Sequence, residues 1–174
     1  MAAHLVEIAV NLIETQIKNN IAAALAAVRT DRADAYVTTE IPKSYFHYQP
    51  SKAFDTPSVF IIPENIDFKK DRGQNHINAT AKINVAVIVE DQTSARLAAR
   101  TWRYQSALYS ILDQVPLTTA DKTFKIVVIV KRAEFTEEYS DSTRKGQPSA
   151  AWRKGVLLEC DVEMFEELKI NGGS

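Results

Sequence analysis

The ten residues AKINVAVIVE, positions 81–90, decide the fold of this chain. Apolar side chains occupy every odd position from Ala81 to Val89, and this alternation is typical of a β-strand with one buried face. Ala86 and Ile88 make the second face partly apolar as well. Because a strand with two partly apolar faces belongs in the middle of a sheet, we predict a central strand over 81–90.

A helix is predicted directly after this strand, over Thr93–Val115, with Thr93 as its N-cap and Pro116 as its end. About 22 helical residues cover roughly 33 Å, which matches the length of a ten-residue strand. The helix therefore brings the chain back to the start of the first strand. We expect the next strand, 124–131, to be its parallel neighbour through a right-handed crossover. The helical spacing is carried by Leu97, Thr101, Tyr104, Leu108, Ile111 and Val115.

A further strand is predicted over 152–165, antiparallel to 124–131. Its inward positions are Val156, Leu158, Cys160, Val162 and Met164. The two strands are separated by a polar loop of sixteen residues, Thr136–Ala151, which is long for a compact domain. The loop is either a flexible hairpin tip or an arm that orders against a partner, and we expect another subunit to order it.

The N-terminal part begins with an apolar stripe at three- and four-residue steps, which predicts a helix over 3–28 with one docking face. Residues 30–57 carry several prolines and aromatic residues, so extended chain and edge strands are expected there. The apolar run 58–62 predicts a short buried strand. The polar stretch 64–78 predicts a loop or an exposed hairpin tip.

Together these elements predict an α+β fold: a mixed, largely antiparallel β-sheet packed by two helices, with a long β-hairpin arm. At 174 residues and 45% hydrophobic content, the chain has the size of one domain over 1–174. We expect its core over 3–168 and a flexible tail over 170–174.

The composition excludes several partners and compartments. The net charge is -1, with 21 basic and 22 acidic residues, so the chain as a whole does not attract nucleic acid or an anionic membrane. Apolar runs such as 126–130 fall far short of the roughly 20 residues that span a bilayer. With no signal-peptide pattern and a single cysteine, the chain is expected to fold in a reducing cytoplasm.

The residues supply no recognisable catalytic, cofactor or metal motif. Cys160 occupies an inward strand position, which favours a core residue over a nucleophile. The three histidines are far apart and lack metal-ligand spacing. Phosphate-binding glycine loops and a G-x-S-x-G turn are absent from the sequence. We therefore predict no catalytic residues, no cofactor and no metal.

Two charged patterns remain. Glu159, Asp161 and Glu163 alternate on one strand face, which is either a solvated outer face, a charged subunit interface or a channel wall, with a cation site or a general acid as further readings. Arginines at steps of four and three form a basic stripe on the second helix, which is either solvated, salt-bridged, a protein interface or a DNA contact. The candidate interface residues are Arg96, Arg100, Arg103, Trp102 and Tyr109, with Glu138, Tyr139, Arg144 and Lys145 in the polar loop.

The order of these elements resembles the tail terminator, or tail-completion, proteins of long-tailed bacteriophages. The resemblance rests on the long N-terminal helix, Pro57-Ser58-Val59-Phe60 at an early strand, the central alternating strand, and Tyr104-Gln105-Ser106-Ala107-Leu108 in the second helix. It continues in a closing hairpin that restarts at Trp152-Arg153 and ends in an acidic strand. It covers about residues 3–168 and depends on patterns of hydrophobicity.

The resemblance implies a non-enzymatic virion protein that forms a ring, usually of six copies. Such a ring caps the tail tube, stops its polymerisation and offers a surface to the head connector. The implied partners are copies of the chain itself, the tail tube protein and a head-tail connector or neck protein, with the tail sheath as a further candidate. DNA only passes through the channel, and no membrane is involved. The implied location is the tail or neck of the virion, after synthesis in the host cytoplasm. The alternatives are a head-tail connector or stopper, and a small enzyme using the acidic strand face.

Overall fold

Two helices and seven strands make up the part of the chain that the computed structural model describes, residues 4–33, 40–48, 55–69, 76–137, 139–140 and 152–167. In chain order they are α1 (Leu5–Arg32), β1 (Ser44–Phe46), β2 (Ser58–Lys69), β3 (His76–Asp91), α2 (Ser94–Leu112), β4 (Pro116–Thr118), β5 (Phe124–Phe135), β6 (Tyr139–Ser140) and β7 (Trp152–Glu167).

Helix α1 follows the predicted apolar stripe and extends about one turn beyond it. The buried side chains lie at three- and four-residue steps, so they share one face of the helix. Ala33 ends the helix in the left-handed region with φ 52°, a conformation that often closes a helix C-terminus. The buried positions are Leu5, Ala9, Val10, Ile13, Ile17, Ile21 and Leu25.

Helix α2 begins after Thr93, as predicted, but it ends at Leu112 and not at Val115. Gln114 adopts a positive φ of 58°, and its N–H donates to the carbonyl of Val128 at 2.7 Å. A turn at 113–114 has therefore already left the helix before Pro116 is reached. Pro116 begins the short strand β4 instead.

The strands form one mixed sheet with the order β1-β2-β3-β7-β5-β4, and β6 also pairs with β7. Among the described strand pairs, β1–β2 is parallel and the others are antiparallel. The prediction of an α+β fold with a largely antiparallel sheet and two helices is confirmed. So is the antiparallel pairing of β5 with β7.

The predicted neighbours of the central strand were wrong. Strand β5 runs in the same direction as β3, but it does not pair with it, because β7 lies between them. Strand β7 pairs with β3 from His76↔Glu167 to Asp91↔Trp152, and with β5 on its other side. Two antiparallel ladders thus replace the single parallel pairing that the length of α2 suggested.

Both helices pack on the same face of the sheet and on each other. The inward side chains of β3 and β7 alternate as predicted and are buried, including Cys160. Gln16 of α1 donates a side-chain hydrogen bond to the carbonyl of Ile111 in α2 at 3.2 Å, which ties the two helices together. The opposite side of the sheet, on which neither described helix packs, is called the open face below.

One predicted loop is shorter than expected, and one strand is longer. Strand β2 continues to Lys69 and β3 begins at His76, so most of the stretch 64–78 is a β-hairpin, with 70–75 outside the described residues. Strand β5 continues past its predicted end to Phe135, after a bulge between Val130 and Arg132. The predicted edge strand between residues 30 and 57 is β1, and 34–39 and 49–54 lie outside the description.

Candidate assembly surfaces

A cluster of charged groups joins the end of β3 to the start of α2. The carboxylate of Asp91 accepts hydrogen bonds from Arg96 at 3.0 Å, from Arg100 at 3.2 Å and from the N–H of Thr93 at 3.2 Å. Arg100 also donates to the carbonyl of Glu90 at 2.8 Å. Burial alone would raise the pKa of Asp91, but the Thr93 N–H and the arginines outweigh burial and hold the pKa below 3.8.

The three arginines of α2 do not form one exposed stripe. Arg100 is 8% exposed and Arg103 is 3% exposed, so both are part of the packed monomer. Arg96 remains partly exposed and pairs with Asp91. The predicted face exists, but the monomer covers most of it, and a role in binding a partner stays a prediction for the exposed part of Arg96.

Trp102 and Tyr109 remain on the surface, with 57% and 46% of each residue exposed. They are seven residues apart, so they share one side of α2. A hydrogen bond to the carboxylate of Asp113 raises the pKa of Tyr109. Asp113 in turn accepts the N–H of Val130 in β5 at 3.0 Å. This chain of bonds places the Trp102–Tyr109 side of α2 toward the outer edge of β5.

The acidic residues of β7 lie on the open face. Glu159 accepts a hydrogen bond from Arg132 at 2.7 Å, and Asp161 forms an ion pair with Lys131 at 3.4 Å. Glu163 is exposed beside Val127 of β5. The predicted ladder is therefore partly neutralised by β5, and Glu163 is its exposed member.

At the end of the open face where β7 begins, the β7 residues are buried and not exposed. Arg153 is 5% exposed and donates to the Glu90 carboxylate at 3.0 Å across the β3–β7 ladder. Next to it, Thr136 forms two hydrogen bonds with Gly155, together called the clasp below. The Thr136 hydroxyl accepts the Gly155 N–H at 2.7 Å, and the Thr136 N–H donates to the Gly155 carbonyl at 3.0 Å. A methyl group on Gly155 would lie 3.3 Å from Thr136 Cγ2 and 3.3 Å from the carbonyl oxygen of Val87, so glycine suits this close contact.

The polar loop is described only at its ends. The backbone of Tyr139 and Ser140 pairs with Arg153 and Trp152 as strand β6. Glu138, Arg144 and Lys145 lie outside the described residues, as do 141–151. The proposed role of this arm as a partner contact stays a prediction.

Two features were missed by the sequence patterns. Phe135 is 43% exposed at the end of β5, where the bulge shifts the alternation by one residue and hides its orientation. The segment containing β1 is held to α1 by Glu14, whose carboxylate binds both Lys18 and His47, while the Lys18 ammonium lies 4.8 Å from the centre of the Tyr45 ring. No spacing rule links positions 14 and 47, so only the folded chain reveals this contact.

Neither described helix combines the length and apolar character needed to cross a membrane. Among the residues that the structure describes, His, Cys, Asp and Glu side chains do not gather in any group of three that could hold a metal ion.

No protein-family model matches the chain, and no curated protein matches it. Among solved structures, it matches a chain from one described as "Virion of native gene transfer agent (GTA) particle". The match covers 80% of this chain and 93% of that chain, with 18% identical residues and a TM-score of 0.45. We draw no conclusion about function from a likeness at this level.

Proposed function

We propose that this protein is a structural component of a phage-like virion, a tail terminator that forms a ring of six copies on the end of the tail tube. The ring stops tube polymerisation and offers the attachment surface for the head connector. The proposal rests on the resemblance in element order over about 3–168. The motif positions of that resemblance have clear structural roles: Val59 and Phe60 are buried in β2, and Tyr104 and Leu108 are buried in α2.

The observation that carries the proposal is the two-sided character of the sheet. Both helices cover one face, and beyond Leu157 the open face is mainly charged and polar, with Phe165 as an exposed apolar member. Lys82, Glu163 and Lys125 are exposed there. In a ring whose sheets face inward, this mixed surface would line a channel, and a surface with alternating signs does not hold DNA as a basic surface would.

The test is electron microscopy of particles made by a strain from which this gene has been deleted, with the gene restored on a plasmid as control. A terminator predicts tails of abnormal and variable length, which the restored gene corrects. Tails of normal, uniform length would overturn the proposal. Normal tails accompanied by unattached heads would point to a head-tail connector or stopper instead.

A further inference from the structure

A continuous row of residues runs across the whole sheet at one height. The register gives Tyr45↔Val59 between β1 and β2, Val59↔Val87, Val87↔Val156, and Val156↔Phe135 between β7 and β5. The two ends of this row are Tyr45 on one side and Phe135 on the other. Because β1 and β2 run parallel and each later pair is antiparallel, β1 and β5 run in opposite directions.

A helix that runs along β5 from their shared contact would bring Trp102 close to the height of Phe135. Asp113 is bonded to Val130, and Trp102 precedes Asp113 by eleven residues. Eleven helical residues rise roughly 16 Å, and the four ladder steps from Val130↔Cys160 to Phe135↔Val156 span roughly 13 Å, because the bulge takes up one residue. Phe135 pairs with Val156, whose side chain is buried under the helices, so Phe135 is on the helix side as well. We call Trp102 and the strand end 131–137 the β5 edge surface.

The outer edge of this strand end has no strand beside it among the described residues. Strand β4 pairs only with Lys125, Ile126 and Val127. The bulge after Val130 and the exposed Lys131 discourage pairing with arbitrary strands. Pairing is thus confined to the stretch after the bulge.

At the opposite end of the row, β1 also has a single described neighbour, β2. We call the segment 41–48 the β1 edge surface. Ile41 is 57% exposed and Tyr48 is 65% exposed. The Glu14 carboxylate holds this segment to α1 through His47. The β1 edge surface is therefore an anchored strand edge flanked by exposed apolar residues.

The two surfaces match in height, direction and charge. Thr136 is bonded to Gly155, which stands in the row of Ile88, Ser58 and Ser44. One residue further, Glu137 and Lys43 extend the same row at opposite edges and both are exposed, and the Lys43 ammonium also lies 3.6 Å from the Glu40 carboxylate. If the sheet of one copy continued into the next, β5 would meet β1 antiparallel, with Glu137 facing Lys43.

We infer that the β5 edge surface of one copy docks on the β1 edge surface of the next, so that the sheets join head to tail. A contact between two different surfaces generates a closed ring when its rotation closes. Backbone hydrogen bonds would come from the paired edges and apolar burial from Trp102, Phe135, Ile41 and Tyr48. This inference rests on the proposed function and names the contact that the ring would use.

Complementary blocking variants test the inference. Phe135→Glu disables the β5 edge surface in every copy, and Ile41→Glu disables the β1 edge surface in every copy. Each variant alone is expected to stay monomeric under conditions in which the wild type forms rings. A mixture of the two is expected to form a heterodimer of twice the 19.5 kDa chain mass, because one intact contact remains and cannot propagate. The masses are read by native mass spectrometry.

Phe165→Glu is the matched control, because Phe165 is 41% exposed but lies on the open face outside both surfaces. It should assemble like the wild type, and circular dichroism should find all three variants folded. A charge exchange tests the register: Glu137→Lys or Lys43→Glu alone should weaken assembly by at least about threefold in the required concentration, whereas the double variant should recover it.

The inference would be overturned if Phe135→Glu or Ile41→Glu formed rings. It would also be overturned if the mixture stayed monomeric under conditions in which the wild type forms rings. Neither result would argue against the ring itself. Wild-type protein that stays monomeric at every concentration would also overturn the inference. The tail-length experiment would then decide the proposed function independently.

Discussion

At the scale of single residues, the most consequential group is the Asp91 carboxylate. It is the shared acceptor for Arg96, Arg100 and the Thr93 N–H at the point where β3 turns into α2. The Asp91 and Arg100 side chains are each 9% exposed, so this is a buried ion pair. Removing one member leaves the other charge buried without compensation.

Asp91→Asn is expected to lower the free energy of unfolding at pH 7 by about 3 kcal/mol, because Arg100 remains buried and charged. Urea unfolding followed by circular dichroism measures the change. The double variant Asp91→Leu, Arg100→Met removes both charges and is expected to recover most of the loss. Equal destabilisation in the single and double variants would contradict this explanation.

The contribution of Asp91 to stability should also depend on pH. Its pKa is lowered from 3.8 in the folded chain, so the stability that Asp91 contributes is present above the unfolded pKa and is lost as the pH falls through the folded pKa. The difference in unfolding free energy between wild type and Asp91→Asn should therefore shrink below about pH 4. A difference that stays constant down to pH 2 would contradict the assignment.

A further prediction concerns Glu14, because its carboxylate holds the β1 edge surface to α1. Burial raises its pKa, but the hydrogen bonds from Lys18 and His47 outweigh burial and leave the pKa below 4.5. Glu14→Gln should cost about 0.5–1 kcal/mol at neutral pH, and the cost should fade as the pH drops through the folded pKa. Glu7→Gln, at an exposed position of the same helix, is the control. Thermal unfolding across pH measures both, and equal costs would refute the link to β1.

At the scale of elements, the clasp between Thr136 and Gly155 sets where the arm leaves the sheet. The two bonds extend the β5–β7 ladder by one step beyond Phe135. They also fix the row on which Glu137 stands at the edge. The clasp therefore aligns the end of β5 as well as closing the hairpin.

Thr136→Val keeps the shape of the side chain but removes the acceptor for the Gly155 N–H. Losing this bond should cost about 1 kcal/mol and should speed hydrogen exchange at the Gly155 amide. Thr118→Val, at an exposed position of β4, serves as the control. Amide exchange read by NMR distinguishes the two, and an unchanged rate at Gly155 would mean that the clasp does not hold the arm.

The sequence predicted the helices and strands well where their pattern depends on residues close together in the chain. The alternation in β3 and β7 gave the correct buried faces, and the stripes of α1 and α2 gave the correct docking sides, because burial follows the period of each element. Strand order was wrong because β7 pairs with partners more than sixty residues away on one side, as His76↔Glu167 illustrates, and no local pattern encodes that choice. The burial of Arg100 could not be predicted for the same reason, since it depends on contacts with the end of β3.

At the scale of the whole molecule, the open face and the two edges would have separate roles in the proposed ring. The edges would join copies, and the open face would meet what passes through. The acidic ladder is not a uniform negative surface, because Arg132 and Lys131 offset Glu159 and Asp161. Glu163 is the exposed acidic residue of this ladder, so in the proposed ring a change of its charge would alter the channel surface directly.

Glu163→Lys is expected to change stability by less than about 0.5 kcal/mol, since the residue is exposed. Tails should reach normal length, but DNA should leave the particles more slowly at low salt, because the new cations attract phosphates. Fluorescence-monitored DNA release from particles measures the rate. Glu7→Lys on α1, away from the sheet, is the control, and equal release rates in both variants would contradict the channel assignment.

The position of β7 has a consequence for synthesis. The ribosome makes β7 after every other described strand, yet two of the three long ladders of the sheet, β3–β7 and β5–β7, depend on it. Until residues 152–167 emerge, β3 and β5 have no common partner, and the row from Tyr45 to Phe135 does not exist. A nascent chain therefore cannot present its two edges at matching heights. Copies could therefore join through these edges only after β7 has completed the sheet of each chain.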